Sequence, residues 1–557
     1  MKKIILLATL LLWQIMSATM LLAQSAAVKK AAQSVFTLTT FRADGSIHSS
    51  THGVFVGNDG EGIALWHVFD GAQRAVVVDA KGRSHDVDVM IGASELYDLC
   101  AFRIREHTAT GLAMPQGDAP VSAGYIVGYD IKKPSLKKVT PQRSEKFMTT
   151  NNYYVFDDTK VSSADLGCPF VNEQGQLLGI MQRGKNGGQA FSADARLIKS
   201  FALSGLSIND ASLRATGIRT ALPADEQQAT IMLMLASQTD STRYDAYIDD
   251  FVSQFPASAE GYKVKANRYI AQRNLDIADR TLALGVKNAT KKDEAYYNYA
   301  LAIYNASVYR LDSTFTRWNL DRALELSQEA YKVSPQPGYR HLQAQTVYAK
   351  GDYQQALNLF TELQQTDLGK HGEVYYEAAQ CKVQLKAPQE EVMKLVDRAV
   401  EVQPGPASAP YVLARGQIYD QAGEYRKAFT DYLRYDTLVN NRGSYAFYYT
   451  KFKCEMKLRQ YQLALNDIAH AIVLNPQEPT YYAEMASLQL QVSQFEDAAK
   501  TCDLALRLTN QYADLYIIKG IAQCEMKQKA DGLATLQKAQ ELGDSRAAAL
   551  IAKYSKK

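Results

Sequence analysis

Ala164-Asp165-Leu166-Gly167-Cys168-Pro169-Phe170-Val171, running through Asn172-Glu173-Gln174-Gly175-Gln176 into Leu177-Leu178-Gly179-Ile180, is the stretch that decides the reading of this chain. Apolar residues follow the Gly167-x-Pro169 punctuation, and a Gln-Gly turn signal separates them from a second apolar run. That is the pattern of short strands broken by turns. Upstream the same texture repeats. SVFTLTTF, GVFVG, AVVVDA, DVDVMIG, LCAFRI, AGYIVGYD and NYYVFD alternate with Asp-Gly and Lys-Gly pairs, and Asn58-Asp59-Gly60 and Ala80-Lys81-Gly82 mark hairpins. Many short β-branched runs at this spacing predict an all-β sandwich or barrel over residues 28–205.

Residues 164–171 resemble the nucleophile turn of trypsin-like serine peptidases, which reads G-[ND]-S-G-G-P-[LF]-V. Gly167, Pro169, Phe170 and Val171 are in register with it, and Asp165 matches its second position. Two further segments carry the resemblance. HGVFVGNDGEGIALWHVFDGA, His52 to Ala72, is similar to the segment of HtrA-kind peptidases that bears the general base, and puts His67 there. ELYDLCAFRI, Glu95 to Ile104, is similar to the strand that supplies the orienting carboxylate, here Asp98. GGQAFSADARLIKSF, Gly187 to Phe201, resembles the strand-to-helix close of such a domain. The resemblance implies a double β-barrel with its triad in the order His, Asp, nucleophile.

The nucleophile position holds Leu166. A triad needs a hydroxyl to attack, an imidazole to take its proton and a carboxylate to orient the ring. Leucine supplies no attacking group. Two residues before it, where the resemblance calls for a glycine whose N–H faces the oxyanion, stands Ala164. The expectation is a degenerate peptidase whose triad positions are His67, Asp98 and Leu166. The alternative is an active endopeptidase with a displaced nucleophile such as Ser162, Ser163 or Cys168. Cys100 and Cys168 flank two of the matched segments, and the resemblance brings them near enough to be a candidate disulfide in an exported chain.

The 557 residues exceed one ordinary domain at roughly 150 residues each. Residues 1–24 read as a cleaved export signal, with Lys2-Lys3 before an apolar run and a small-residue end; an uncleaved anchor is the alternative. No other segment reads as membrane-spanning. The formal charge of +3 includes Lys2 and Lys3, so the remaining chain is nearly neutral and no nucleic-acid partner is expected. Localisation is expected to be periplasmic or secreted. The six cysteines form no C-x-x-C pair, and His48, His52, His85 and His107 lack ligand spacing, so neither metal nor cofactor is expected.

Residues 206–222 have mixed polarity without a period and read as a linker. Beyond Pro223 the apolar spacing turns helical. Tyr353-x-x-Ala356, Tyr425-x-x-Ala428, Tyr461-x-x-Ala464 and Phe495-x-x-Ala498 recur at intervals of 72, 36 and 34 residues, the first interval enclosing one further copy. Small residues precede them (Ala344, Gly416, Ala486), and Phe360, Tyr432, Ile468 and Cys502 stand four after the alanine. This is similar to the tetratricopeptide repeat (TPR), in which small residues let helices approach and large ones fill the cleft beside them. An all-α solenoid of about eight or nine repeats over residues 223–545 is expected, with a capping helix at 546–557. Most of the 34 tyrosines then serve as packing, while Tyr445, Tyr448 and Tyr449 are candidates for a groove that holds a peptide or partner helix. Binding of a protein or peptide, by the repeats and by the barrel cleft, is the function the two halves share.

Overall fold

The structure, a computed structural model, describes residues 26–556 except 58, 106–109, 118–120, 122, 131–132, 148–150, 158–160 and 184–188. The export signal and His107 lie outside the described residues. The chain divides into two compact units, Met1–Lys291 and Lys292–Lys557.

In the first unit, β1 (Val35–Phe41), β2 (Ile47–Val56), β3 (Glu61–Ala64), β4 (Arg74–Val78), β5 (Ser84–Ser94) and β6 (Leu99–Ile104) close into a barrel in the order β1-β2-β3-β6-β5-β4. Its core is aromatic. Phe36 packs on Phe55 and Phe102 with ring centroids 4.7 and 5.7 Å apart, and Phe69 lies 5.4 Å from Phe102. A Cβ on Gly53 would fall 2.4 Å from the Phe36 ring, so the barrel admits that ring by omitting a side chain across from it.

A seven-stranded antiparallel sheet follows, from β7 (Gly124–Asp130), β8 (Lys133–Val139), β9 (Arg143–Phe147), β10 (Asn151–Asp157), β11 (Pro169–Val171), β12 (Leu177–Arg183) and β13 (Gln189–Asp194). Its order is β8-β7-β11-β12-β13-β10-β9. The expected second barrel is thus a sheet with β8 and β9 at its edges. β8 carries Lys133, Lys137 and Lys138 and β9 carries Arg143 and Lys146, the charges that guard strands left to solvent. Central β12 buries six successive residues from Leu177, which is why it reads as a continuous apolar run.

The stretch read as a linker is fastened to the barrel. Leu213 and Ile218 are buried, Gly217 N–H donates to Ala72 O at 2.6 Å, and Ala221 N–H donates to Met90 O at 2.8 Å. Arg219 bridges Asp88 of β5 and Asp250 of the helix Tyr244–Gln254. Scattered Leu213, Ile218 and Leu222 have no period because the segment follows the barrel wall as irregular backbone. Helices Glu226–Thr239, Tyr244–Gln254, Ala259–Ala271 and Leu275–Asn288 complete this unit.

The second unit is helical throughout among the described residues. Lys292–Val308 pairs with Leu320–Val333, Pro337–Ala349 with Tyr353–Leu363, Glu373–Gln384 with Gln389–Val402 and Ala409–Gln421 with Tyr425–Leu438. Tyr445–Lys457 pairs with Tyr461–Leu474, Pro479–Gln491 with Phe495–Leu506 and Ala513–Glu525 with Lys529–Glu541. Ala356, Ala428, Ala464 and Ala498 are fully buried, as are Tyr432, Ile468 and Cys502. A Cβ on Gly416 would sit 2.9 Å from the Tyr432 ring, the close approach the repeat motif requires. The closing helix Ser545–Lys556 buries Ala547 and Tyr554 against Ile517 and Leu536.

Candidate functional site

His67 occupies a 3-10 turn, Trp66–Val68, just after β3. Trp66 and Val68 point into the barrel core, so the turn presents His67 outward with its side chain 63% exposed. Asp98 lies in the β5–β6 turn with φ +48°, a left-handed conformation that aspartate tolerates better than most residues. Its carboxylate accepts twice from one residue: His67 N–H to Oδ1 at 2.8 Å, and His67 Nδ1 to Oδ2 at 2.7 Å. A carboxylate only accepts, so the proton of this bond is the one on Nδ1. The second sheet props this turn, since Gln182 Nε2 of β12 donates to Tyr97 O at 2.7 Å and Asp98 O at 3.2 Å. Burial, with the Asp98 charge adding to it, raises the Cys100 thiol well above its ordinary pKa; the same two causes, in that order, raise the Tyr153 phenol.

The Leu166 turn is built differently. Ser163–Asp165 forms a 3-10 turn, capped by Ser162 N–H and Oγ on the Asp165 carboxylate, the latter at 2.9 Å. Lys137 Nζ also reaches Asp165, at 2.9 Å. Burial opposes ionisation of Asp165, but Lys137 and Ser162 outweigh it and hold its carboxyl below the usual range. Three successive amides are engaged internally: Leu166 N–H to Ser163 O at 3.3 Å, Gly167 N–H to Met181 O at 2.9 Å and Cys168 N–H to Asp165 O at 3.2 Å. Ala164 is exposed, and Leu166 is half-buried with φ −68° and ψ 137°. Thr51 Oγ1 donates to Leu166 O at 3.3 Å, fixing the turn on β2. Gly167 has φ +78°, and a Cβ there would lie 2.5 Å from His52 O, so both conformation and space demand glycine.

Sequence reading therefore placed His67 beside Asp98, and the structure joins them. It missed Gln182, Thr51 and Lys137, which act across long sequence separations and carry no local signal. The Cys100–Cys168 disulfide is corrected. Cys100 Sγ faces Ala64 O at 3.5 Å in the barrel core, whereas Cys168 Sγ faces Ala164 O at 3.6 Å in the core of the second sheet. Of the alternative nucleophiles, Ser162 Oγ is bonded to Asp165.

In the second unit, Tyr448 leaves the proposed groove set. It is 3% exposed, and its hydroxyl bonds Asp436 Oδ1 and Asn441 O, each at 3.1 Å. Tyr445 and Tyr449 are more open and meet Tyr481 at centroid distances of 6.5 and 4.9 Å. A cluster that sequence analysis passed over gathers His341, Glu373 and Glu377. Its signal was the i, i+4 pairs His341/Gln345 and Glu373/Glu377.

Residues 51–180 match the trypsin-like peptidase domain family. The chain carries a trypsin-like peptidase domain. Beyond it lies a helical region, and the chain is similar to a tetratricopeptide repeat protein 4 homolog of Dictyostelium discoideum, 38% identical over 64 residues, or 12% of this chain and 16% of that protein. Among solved structures, a serine endoprotease from Yersinia pestis is 18% identical with a TM-score of 0.28, over 34% of this chain and 66% of that one. An HtrA-type protease solved with a tripeptide is 19% identical with a TM-score of 0.28, over 34% and 64%. The chain thus spans about one sixth of the curated relative and just under two thirds of the solved ones. No helix among the described residues is long and apolar enough to cross a membrane.

Proposed function

We propose that this chain is an exported polypeptide-binding protein of the bacterial cell envelope, in which the peptidase-like domain holds an extended segment without cutting it and the tetratricopeptide solenoid recruits or scaffolds a protein partner. The observation that carries this reading is the Leu166 turn. Its side chain has no attacking atom, and its N–H, which a working peptidase directs at the oxyanion, donates to Ser163 O at 3.3 Å. Loss of the nucleophile alone costs on the order of a million-fold in a serine peptidase. Residual barrel architecture and helical repeats are both surfaces suited to polypeptide.

The test is fluorescence anisotropy of the full chain with labelled, unfolded casein. Saturable binding with intact casein after prolonged incubation is expected. Progressive fragmentation of the casein, or no binding at all, contradicts the proposal. A second reading, an active endopeptidase using another nucleophile, is favoured by one observation: the 2.7 Å His67–Asp98 pair is still set up to serve as a base. Fragmentation abolished by His67→Ala would establish that reading.

A further inference from the structure

His341, on the helix Pro337–Ala349, faces Glu373 and Glu377 on the helix Glu373–Gln384, and one ligand atom from each lies within 4.8 Å of the other two. We infer that these three side chains form a binding site for a divalent transition-metal cation of zinc's kind, joining two neighbouring helix pairs of the second unit.

Four features of the cluster support a site rather than a chance gathering of charges. First, the donors are an imidazole nitrogen and two carboxylates, a set that suits Zn2+ in sites with three protein ligands. Second, the residues around the donors hold them in place. Gln345, one turn along from His341, donates through Nε2 to Glu377 Oε1 at 2.8 Å, the outer partner a metal-ligating carboxylate needs. The Phe360 ring meets the His341 ring edge-on at 6.0 Å, so the imidazole is backed by the buried core. His341 Nε2 then points at Glu377 Oε2, 2.5 Å away.

Third, the cluster is short of positive charge. Among the described residues neither Glu373 nor Glu377 forms an ion pair with lysine or arginine, and Glu377 meets His341 instead. A divalent ion bound there would neutralise both carboxylates. Fourth, Glu373 is exposed while His341 and Glu377 are partly covered, which leaves an ion a path in from solvent.

The experiment is equilibrium dialysis of chelator-treated full chain against ZnCl2, with Co2+ absorption spectra reporting the ligand set. Wild type is expected to bind one ion at this cluster. Glu373→Gln and His341→Ala should each weaken that binding at least ~100-fold, and Gln345→Ala about tenfold. His470→Ala, at an exposed imidazole in another repeat, should leave it unchanged. Glu373 is exposed, so Glu373→Gln tests the site without disturbing the core, and metal-free melting identical to wild type will show it. No high-affinity ion, or an ion retained in Glu373→Gln and His341→Ala alike, overturns the inference.

Discussion

Gly167 in the peptidase-like domain and Gly416 in the helical unit both sit where a side chain has no room, yet the residues beside them obey different rules. Around Gly416 every motif position is a packing position: Tyr432 fills the space beside it, Ala428 is fully buried, and Arg415 pairs with Asp431 at 2.7 Å. Beside Gly167 stands Leu166, half-buried and in a backbone conformation open to any residue. The repeat motif is therefore a folding requirement at each letter. The peptidase-like motif is a folding requirement at Gly167, whereas at Leu166, the position proposed for the nucleophile, the backbone sets no demand. A turn of that kind can lose its reaction and keep its shape.

Substitutions at these positions separate the two kinds of demand, and the largest effect belongs to Gly167→Val. It forces a β-branched residue into φ +78° and against His52 O, and should cost about 3 kcal/mol in urea unfolding. Gly416→Leu drives a side chain into Tyr432 and should cost about 2 kcal/mol by the same measurement. A wild-type unfolding midpoint in either variant would break the claim that neighbours dictate these glycines.

A third prediction concerns charge inside the repeats. Glu455 is 1% exposed, and burial, reinforced by its hydrogen bond to Asp467 and by that carboxylate's charge, pushes its pKa up to about 9. Lys451 sits between Asp436 and Asp467, each 3.1 Å away, and offsets part of their charge. Because the folded-state pKa lies above the ordinary 4.5, the group's contribution to stability is complete below about 4.5 and falls as pH rises towards about 9. Urea midpoints should decline across that window, and Glu455→Gln should flatten the decline. An identical slope in the variant would contradict the assignment.

The smallest effect on stability is expected of Leu166→Ser, within about 0.5 kcal/mol of wild type by thermal melting, since the side chain is only half-buried and its backbone conformation suits any residue. Casein turnover should not appear with it, because the amide at that position still bonds Ser163 O and Ala164 still stands at the oxyanion turn. A large stability change would show that Leu166 is a packing residue after all.

How much of this was legible follows from range. His67, Asp98 and Gly167-x-Pro169 could be read because each lies in a short segment that resembles a peptidase motif. The repeats could be read because Tyr-x-x-Ala recurs with a helical period. Tyr445, Tyr448 and Tyr449 share one helix at i, i+3 and i+4, and what separates buried Tyr448 from its neighbours is Asp436 on the preceding helix. Gln182 carries no local signal, because its support of the Asp98 turn spans 84 residues. Residues 206–222 read as a linker because bonds such as those of Gly217 and Ala221 go to Ala72 and Met90, far back in the chain.

The central claim is that the site retains a base and lacks an attacking atom. Labelling of the full chain with a fluorophosphonate probe tests it most directly. The account predicts no covalent adduct in wild type and none in His67→Ala. An adduct in wild type that disappears in His67→Ala would contradict it.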